Sequence, residues 1–275
     1  MPLLALPYFT LGPWPKEPLI SIGSFHLQIP AFGLLVFMGI VIAILMGNQK
    51  AKRMGLSTRD FQNLAFFLIS IGFLVSHLFE VLFYHPEVVL QKPWILLDIF
   101  NGLSSYGGLI GGIFAFLIWT HWKHIQDRLA WADLMSWCFA IAFFFGRIGC
   151  SVAHDHPGAL APGWPLAIQY ADPSRPWLNG PRHDLGFYEA IWWLVILIVM
   201  FLLDRKPRRQ GFHLVLLALL YAPVRFALDF LRIPATQGGD IRYFGLTPAQ
   251  YLSLVLLGFG IYFWFVKWRA WRTGK

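Results

Sequence analysis

Seven stretches of mostly apolar residues recur along this chain, at 31–47, 62–83, 106–120, 130–146, 188–203, 212–231 and 248–266. Each is about the length an α-helix needs to cross ~30 Å of hydrocarbon. A backbone in lipid has no water to bond, so such runs are compatible with helices that satisfy their own N–H and C=O groups. The pattern predicts an all-α integral membrane protein with about seven transmembrane helices, forming one membrane domain over residues 1–275. Composition agrees. Hydrophobic residues fill 57% of the 275 positions and charged residues 13%, too little polar surface to cover a water-soluble fold. The 13 Trp and 26 Phe suit anchoring at headgroup level and packing against acyl chains.

Lys and Arg set the orientation, because cytoplasmic loops carry their excess. Alternate connections hold Lys50, Lys52, Arg53 and Arg59, then Lys123 and Arg128, then Arg205, Lys206, Arg208 and Arg209, then Lys267, Arg269, Arg272 and Lys275, which is 14 of the 22 basic residues. That side is predicted to be cytoplasmic, with the N-terminus outside and the C-terminus inside. The same asymmetry accounts for the net charge of +8, so nucleic acid is not an expected partner. Residues 1–30 make a poor signal peptide, with three prolines by position 13 and no early basic region. They read as an ordered extramembrane segment. Cys138 and Cys150 are too few for a disulfide framework or a thiolate metal cluster and are read as free thiols.

The longest connection, about 147–187, falls on the extracytoplasmic side and forms a head inserted in the membrane domain. It is dense in polar groups: Arg147, His154, Asp155, His156, Asp172, Arg175, Arg182, His183 and Asp184. Loops of that length in compact proteins are usually functional. Ionisable residues in or beside apolar runs are costly to bury and mark functional candidates. Here they are His77 and Glu80, Arg147, Glu189, and Arg225, Asp229 and Arg232. Arg225 and Asp229 are spaced i, i+4, and Arg232 lies three residues further on, so one carboxylate can hold two guanidinium groups. The bland reading is charge neutralisation. The functional one is that surplus positive charge meets a lipid phosphate, whose geometry guanidinium matches in a bidentate way. His77 with Glu80 reads first as helix packing.

Phe-Gly-Arg-Ile-Gly at 145–149 puts Arg147 where a span meets the interface, between Gly146 and Gly149, which permit close approach of a backbone or a headgroup. An unpaired arginine there has no evident structural task. Leu-Ser-Ser-Tyr-Gly-Gly-Leu-Ile-Gly-Gly at 103–112 sets the phenol of Tyr106 before a stripe comprising Gly107, Gly108, Gly111 and Gly112. Such stripes are mostly packing surfaces. His154-Asp155-His156 with His183-Asp184 contains zinc-ligand residue types, which makes a membrane metallohydrolase a rival reading. Adjacent His-Asp-His is a weak motif, and no metal is expected.

These segments resemble the prolipoprotein diacylglyceryl transferase family, from about Phe32 to Phe265. The resemblance rests on the Gly-Gly-Leu-Ile-Gly at 107–111, Phe-Gly-Arg-Ile-Gly at 145–149, Pro-Arg-His at 181–183 with Tyr188-Glu189 behind it, and Arg225 through Arg232. It implies a bacterial inner-membrane transferase that needs no cofactor. Diacylglycerol would move from phosphatidylglycerol to the lipobox cysteine of a prolipoprotein signal peptide, by thiolate attack on the glyceryl carbon and departure of glycerol 1-phosphate. Membrane lipids would be its other partners, with donor lipid entering laterally between helices. Arg147 and Arg232 match the family's phosphate-facing arginines.

The departures concern the base and its surroundings. Tyr106 stands where the family has His, and Cys150 where it has Asn. His154-Asp155-His156-Pro157-Gly158 occupies the stretch where it shows Asn-Gly-Glu, with Asp155 the replacement acid. Catalytic candidates are therefore Arg147, Tyr106, Arg232, Asp155 and His154. Substrate-binding candidates are Gly107, Gly108, Gly146, Gly149, Cys150, His183, Glu189, Arg225 and Asp229. Three accounts of Tyr106 stay open. It positions phosphate while His154, His156, His183 or water acts as base; or arginines lower its pKa so that it acts itself; or the chain is a divergent paralogue that binds lipid or precursor without the usual turnover. Cys150 reads as a small packing residue before a reactive acceptor.

Overall fold

The computed structural model describes residues 20–22, 25–27, 31–84, 86–98, 103–171 and 175–273. Asp172 and residues 1–19 lie outside them, and the side chains of Tyr106 and residues 267–273 are likewise not described. The elements in chain order are strands β1 (Ile20–Ile22) and β2 (Phe25–Leu27), then helices α1 (Ala31–Arg53), α2 (Thr58–Tyr84), α3 (Pro86–Gln91), α4 (Ser105–Trp122) and α5 (Arg128–Val152). Strands β3 (Pro157–Leu160), β4 (Ile168–Tyr170) and β5 (Gly180–Asp184) follow, and then α6 (Leu185–Leu203), α7 (Phe212–Leu228) and α8 (Pro248–Thr273). Six of the helices are long and apolar enough to cross a membrane, and a seventh, α4, is a shorter apolar helix. The chain is an all-α multi-pass membrane protein with a small β insert. Outward-facing apolar residues such as Phe66 (74% exposed) and Val255 (69%) fit lipid contact.

The chain divides into two compact units, Met1–Ala43 with Ser136–Lys275, and Ile44–Met135. In the second unit, α2 and α4 pack closely along a seam of glycines. A Cβ at Gly107 would lie 2.5 Å from that of Phe79 and 2.8 Å from the Ser76 Cα, and one at Gly111 would lie 2.7 Å from that of Val75. Gly112 has open space at the same point and Gly108 meets nothing nearer than 3.8 Å. The helices are tied where α4 begins. Ser76 Oγ donates to the Ser104 carbonyl (2.7 Å), and Ser104, the N-cap of α4, accepts the Gly107 N–H. His77, fully buried, places Nε2 3.0 Å from the Ile95 carbonyl.

In the first unit, α5 runs six residues beyond the predicted end of its span at 146, so the head begins near 153 and not at 147. The helix stops at a left-handed residue, His154, at φ 54°. There His154 N–H bonds to the Ser151 carbonyl (3.0 Å) and Asp155 N–H to the Cys150 carbonyl (3.1 Å), the paired bonds of a Schellman ending. The head is a three-stranded antiparallel sheet ordered β3-β5-β4. Its core is Ile168, Tyr170, Leu178 and Ile233, with Phe187 against it. Arg182, buried in the head, donates from Nε to the Leu178 carbonyl (2.7 Å), from Nη1 to Gly158 (3.0 Å) and from Nη2 to Trp177 (3.0 Å). It is a pin for the head. Asp184 then caps α6, accepting the Phe187 N–H at 2.7 Å and the Tyr170 hydroxyl at 2.9 Å.

Candidate active site

Three helices of the first unit bring charged side chains together in an apolar surround. Arg147, expected to be unpaired, is not. Its Nε lies 3.1 Å from Glu189 Oε2 on α6, with side-chain exposures of 7% and 2%. The N–H is not aimed for a hydrogen bond, so the interaction is mainly one of charge. Glu189 also accepts from the Tyr221 hydroxyl (3.0 Å) and lies 3.4 Å from Arg225 Nη1. Arg225 Nη1 is 2.8 Å from Asp229 Oδ1, and Arg232 Nε reaches the same oxygen at 3.1 Å. The i, i+4 pair is therefore formed, and one carboxylate does hold two guanidinium groups. Asp229 is completed at Oδ2 by the Thr247 hydroxyl.

The result is a chain of alternating charge, Arg147, Glu189, Arg225, Asp229, Arg232, in which three buried or nearly buried cations face two carboxylates. Asp240 lies 3.5 Å from Arg232 but is a third exposed, and the exposed Arg242 adds a cation nearby, bonded to the Asp229 carbonyl. Among the described residues, no hydrogen bond or ion pair reaches the terminal amino groups of Arg147 or Arg232. Aromatic rings wall the cluster. Phe143 lies under the Arg147 guanidinium at 4.7 Å, and Trp193 packs 5.0 Å from Phe143 and 4.8 Å from Tyr221. Such walls exclude water and strengthen any electrostatic interaction with an incoming anion. Between α5 and α6 lies an apolar groove of about 250 Å³, lined by Phe144, Ile148, Val152, Phe187 and Leu194 among others.

The remaining candidates divide. Gly149 is needed for packing, since a Cβ there would press on Phe32 of α1 at 3.1 Å, whereas Gly146 faces open space. Cys150 is buried and free, and its carbonyl takes the Asp155 N–H. Asp155 is exposed. His154 is fully buried and stacked on Tyr170, with centroids 4.0 Å apart, so it has a structural task in the head. His183 sets Nδ1 2.8 Å from the Tyr188 hydroxyl, which donates to the Leu166 carbonyl. Among the described residues no three His, Cys, Asp or Glu side chains gather in a metal-binding group. Gly107 and Gly108, in the second unit, stand on α4, where Gly107 has a packing reason.

Tyr221 and Thr247 were not singled out from the sequence. Thr247-Pro248-Ala249-Gln250 does carry a signal, a capping box with proline at the first helical position. The structure forms it, with Thr247 N–H donating to Gln250 Oε1 (2.9 Å) and Gln250 N–H to Thr247 Oγ1 (3.2 Å). Tyr221 is a phenol in an apolar run and carries no local signal.

A multi-pass membrane protein with more cations than carboxylates gathered in one apolar surround carries a site suited to an anion. The particular family is established by similarity. Residues 18–266 match the family model described as prolipoprotein diacylglyceryl transferase. A phosphatidylglycerol-prolipoprotein diacylglyceryl transferase of Chromohalobacter salexigens is 31% identical over 251 residues, covering 89% of this chain and 90% of that protein. Proteins of the same name from Clostridioides difficile (29% identical; 86% and 90% covered) and Pseudomonas putida W619 (27%; 96% and 98%) are similar over comparable spans. The chain belongs to the prolipoprotein diacylglyceryl transferase family.

Proposed function

We propose that this protein is a phosphatidylglycerol:prolipoprotein diacylglyceryl transferase of the bacterial inner membrane, with its site toward the extracytoplasmic side. The observation that carries the reading is the cluster of Arg147, Arg225 and Arg232 against Glu189 and Asp229, with unbonded terminal amino groups on its two end arginines. One surplus positive charge in a water-poor site suits a lipid phosphate. The names of the relatives supply the donor and the acceptor class, and the apolar groove between α5 and α6 is of a kind that takes acyl chain. The outward orientation is supported by the distribution of Lys and Arg.

In this reading the lipobox sulfur bonds to the glyceryl carbon of phosphatidylglycerol as the carbon–oxygen bond to phosphate breaks. The oxygen keeps the electron pair and leaves as glycerol 1-phosphate. The phosphate gains a negative charge in that step. Fixed guanidinium groups, already oriented by Glu189 and Asp229, stabilise the charge without reorganising. Arg147 and Arg232 hold the phosphate, while Arg225, engaged by both carboxylates, fixes the frame.

The test is transfer of labelled diacylglycerol from phosphatidylglycerol to a lipobox peptide in proteoliposomes, beside Arg147→Ala and Tyr106→His. Transfer by the parent that disappears in Arg147→Ala is the expected result. No transfer by the parent, with activity gained in Tyr106→His, would refute the reading and leave a binding paralogue.

A further inference from the structure

The proton of the acceptor thiol has to go somewhere, and position 106, where the family resemblance implies a histidine, holds Tyr106. Of the three head histidines, His154 is stacked in a core and His183 is paired with Tyr188. His156 differs from both. It is only partly buried, its Nδ1 is enclosed without a hydrogen bond of normal geometry, and the Asp155 carbonyl is the one backbone group interacting with the ring. Nε2 is not enclosed, and it bonds to no described residue. A proton resting on Nδ1 leaves Nε2 as the open acceptor.

The backbone fixes the His156 segment from two directions, between the start of α6 and the stretch that carries Arg232. The His156 carbonyl accepts the Leu185 N–H (3.1 Å) at the start of α6, one turn before Glu189, and Pro157 pairs with Asp184. Two residues on, Gly158 bridges Arg232 in antiparallel fashion. A Cβ at Gly158 would lie 2.6 Å from the His183 carbonyl and 2.9 Å from the Leu231 carbonyl. The strand is thus clamped between β5 and the segment that carries Arg232. Burial first, and then the charges of Arg147, Arg232 and Arg225, hold the ring's pKa well below the ordinary histidine value.

We propose that His156 is the catalytic proton acceptor, its Nε2 taking the proton of the lipobox thiol as the sulfur attacks lipid held by Arg147 and Arg232. The inference rests on the transferase reading above. The S–H bond gives its proton to Nε2 and its electron pair to the new S–C bond, and the C–O pair leaves with the phosphate. The imidazolium then returns its proton to the departing phosphate or to water. Electrostatics couples the two events. Burial and the cluster's positive charge favour the neutral ring, the form that can accept a proton. Bound phosphate offsets the arginines and makes the ring more basic when substrate is present. In the transition state, positive charge growing on His156 and negative charge growing on phosphate stabilise each other.

The experiment compares lipobox peptides bearing cysteine or selenocysteine, because a selenol is already ionised at neutral pH and needs no base. For His156→Gln, transfer to the thiol is expected to fall ~100-fold or more, the range for losing a general base. Transfer to the selenol should stay within about threefold of the parent, which also shows that the variant is folded. His154→Gln serves as the comparison, with both transfers expected to fall together as the head loosens. Parallel loss on both peptides in His156→Gln, or no loss on either, would overturn the assignment while leaving the transferase reading intact. A parent that transfers to neither peptide would overturn the transferase reading, and the proton acceptor with it.

Discussion

The α2–α4 seam and the charged ends of α5, α6 and α7 bury opposite things, and the difference separates scaffold from site. Along the seam, side chains are removed so that backbones can touch, as at Gly107 and Gly111, and the polar groups that remain are bonded among themselves at the start of α4. At the charged end, large side chains are kept, four ionisable groups are buried and Arg232 nearly so, and the balance is left one cation in excess. Burying charge is unfavourable unless it is paired and bonded. A helix bundle gains nothing structural from the extra arginine, so the excess points to an anion from outside.

The sharpest way to break the contrast is to remove the carboxylate that two arginines share. Asp229→Ala leaves Arg225 and Arg232 buried without their common partner and should cost ~3–5 kcal/mol of stability, as for other broken buried pairs. Thermal unfolding in detergent would read it. A loss below ~1 kcal/mol, the range of exposed pairs, would mean that water already screens the cluster and that the site is not insulated. Arg147→Lys is gentler on the fold because charge is kept. It removes the planar fork, and label transfer is expected to drop roughly 10²-fold, the scale of losing one oriented donor to a developing anion. Undiminished transfer would make Arg147 a mere counter-charge to Glu189.

The seam makes the reverse prediction. Gly111→Ala forces a Cβ to within 2.7 Å of the Val75 Cβ and is expected to cost ~1–3 kcal/mol through overpacking. Gly112→Ala, with nothing within 4 Å, should be neutral or gain up to ~1 kcal/mol from helix propensity. Unfolding of the two variants side by side checks the pair. Equal effects would show that the glycines are not spacing the helices.

The spans were legible because lipid imposes a length and a polarity on every crossing helix. The end of α5 was not, because Arg147 reads as a boundary when its cost is judged from its own helix. Its offset, Glu189, comes from α6, 42 residues away in the chain and visible only once the helices pack. Arg225, Asp229 and Arg232 were readable because their spacing is local. Tyr221 and the Thr247 contact to Asp229 were not, since both are tertiary, although the capping box around Thr247 is written plainly in the sequence. His154 misled for a related reason. It occupies a left-handed helix ending where glycine is usual, and nothing in the residue type announces that its ring is needed as packing.

The smallest effect lies at the joint between head and helix. Asp184 caps α6 and accepts the Tyr170 hydroxyl, but burial raises its pKa to about 6 from an ordinary value of 3.8. A raised folded-state pKa means that the protonated form is favoured on folding. The contribution is full below the unfolded pKa and is lost as pH rises through about 6, so it should fall by about 1 kcal/mol between pH 5 and 7. His156 opposes this trend, because its lowered pKa disfavours the folded head as pH drops. The parent's own pH curve therefore mixes the two, and His183, lowered by burial, adds to the second. Asp184→Asn isolates the first. Asparagine keeps the cap through its oxygen and can donate to Tyr170 through its amide, so the fold is retained while the titration is removed. Hydrogen exchange of the β3–β5 amides, corrected for intrinsic rates, should show parent minus variant protection falling from pH 5 to 7. A flat difference would mean that Asp184 is ionised throughout that range, with its two donors outweighing its burial.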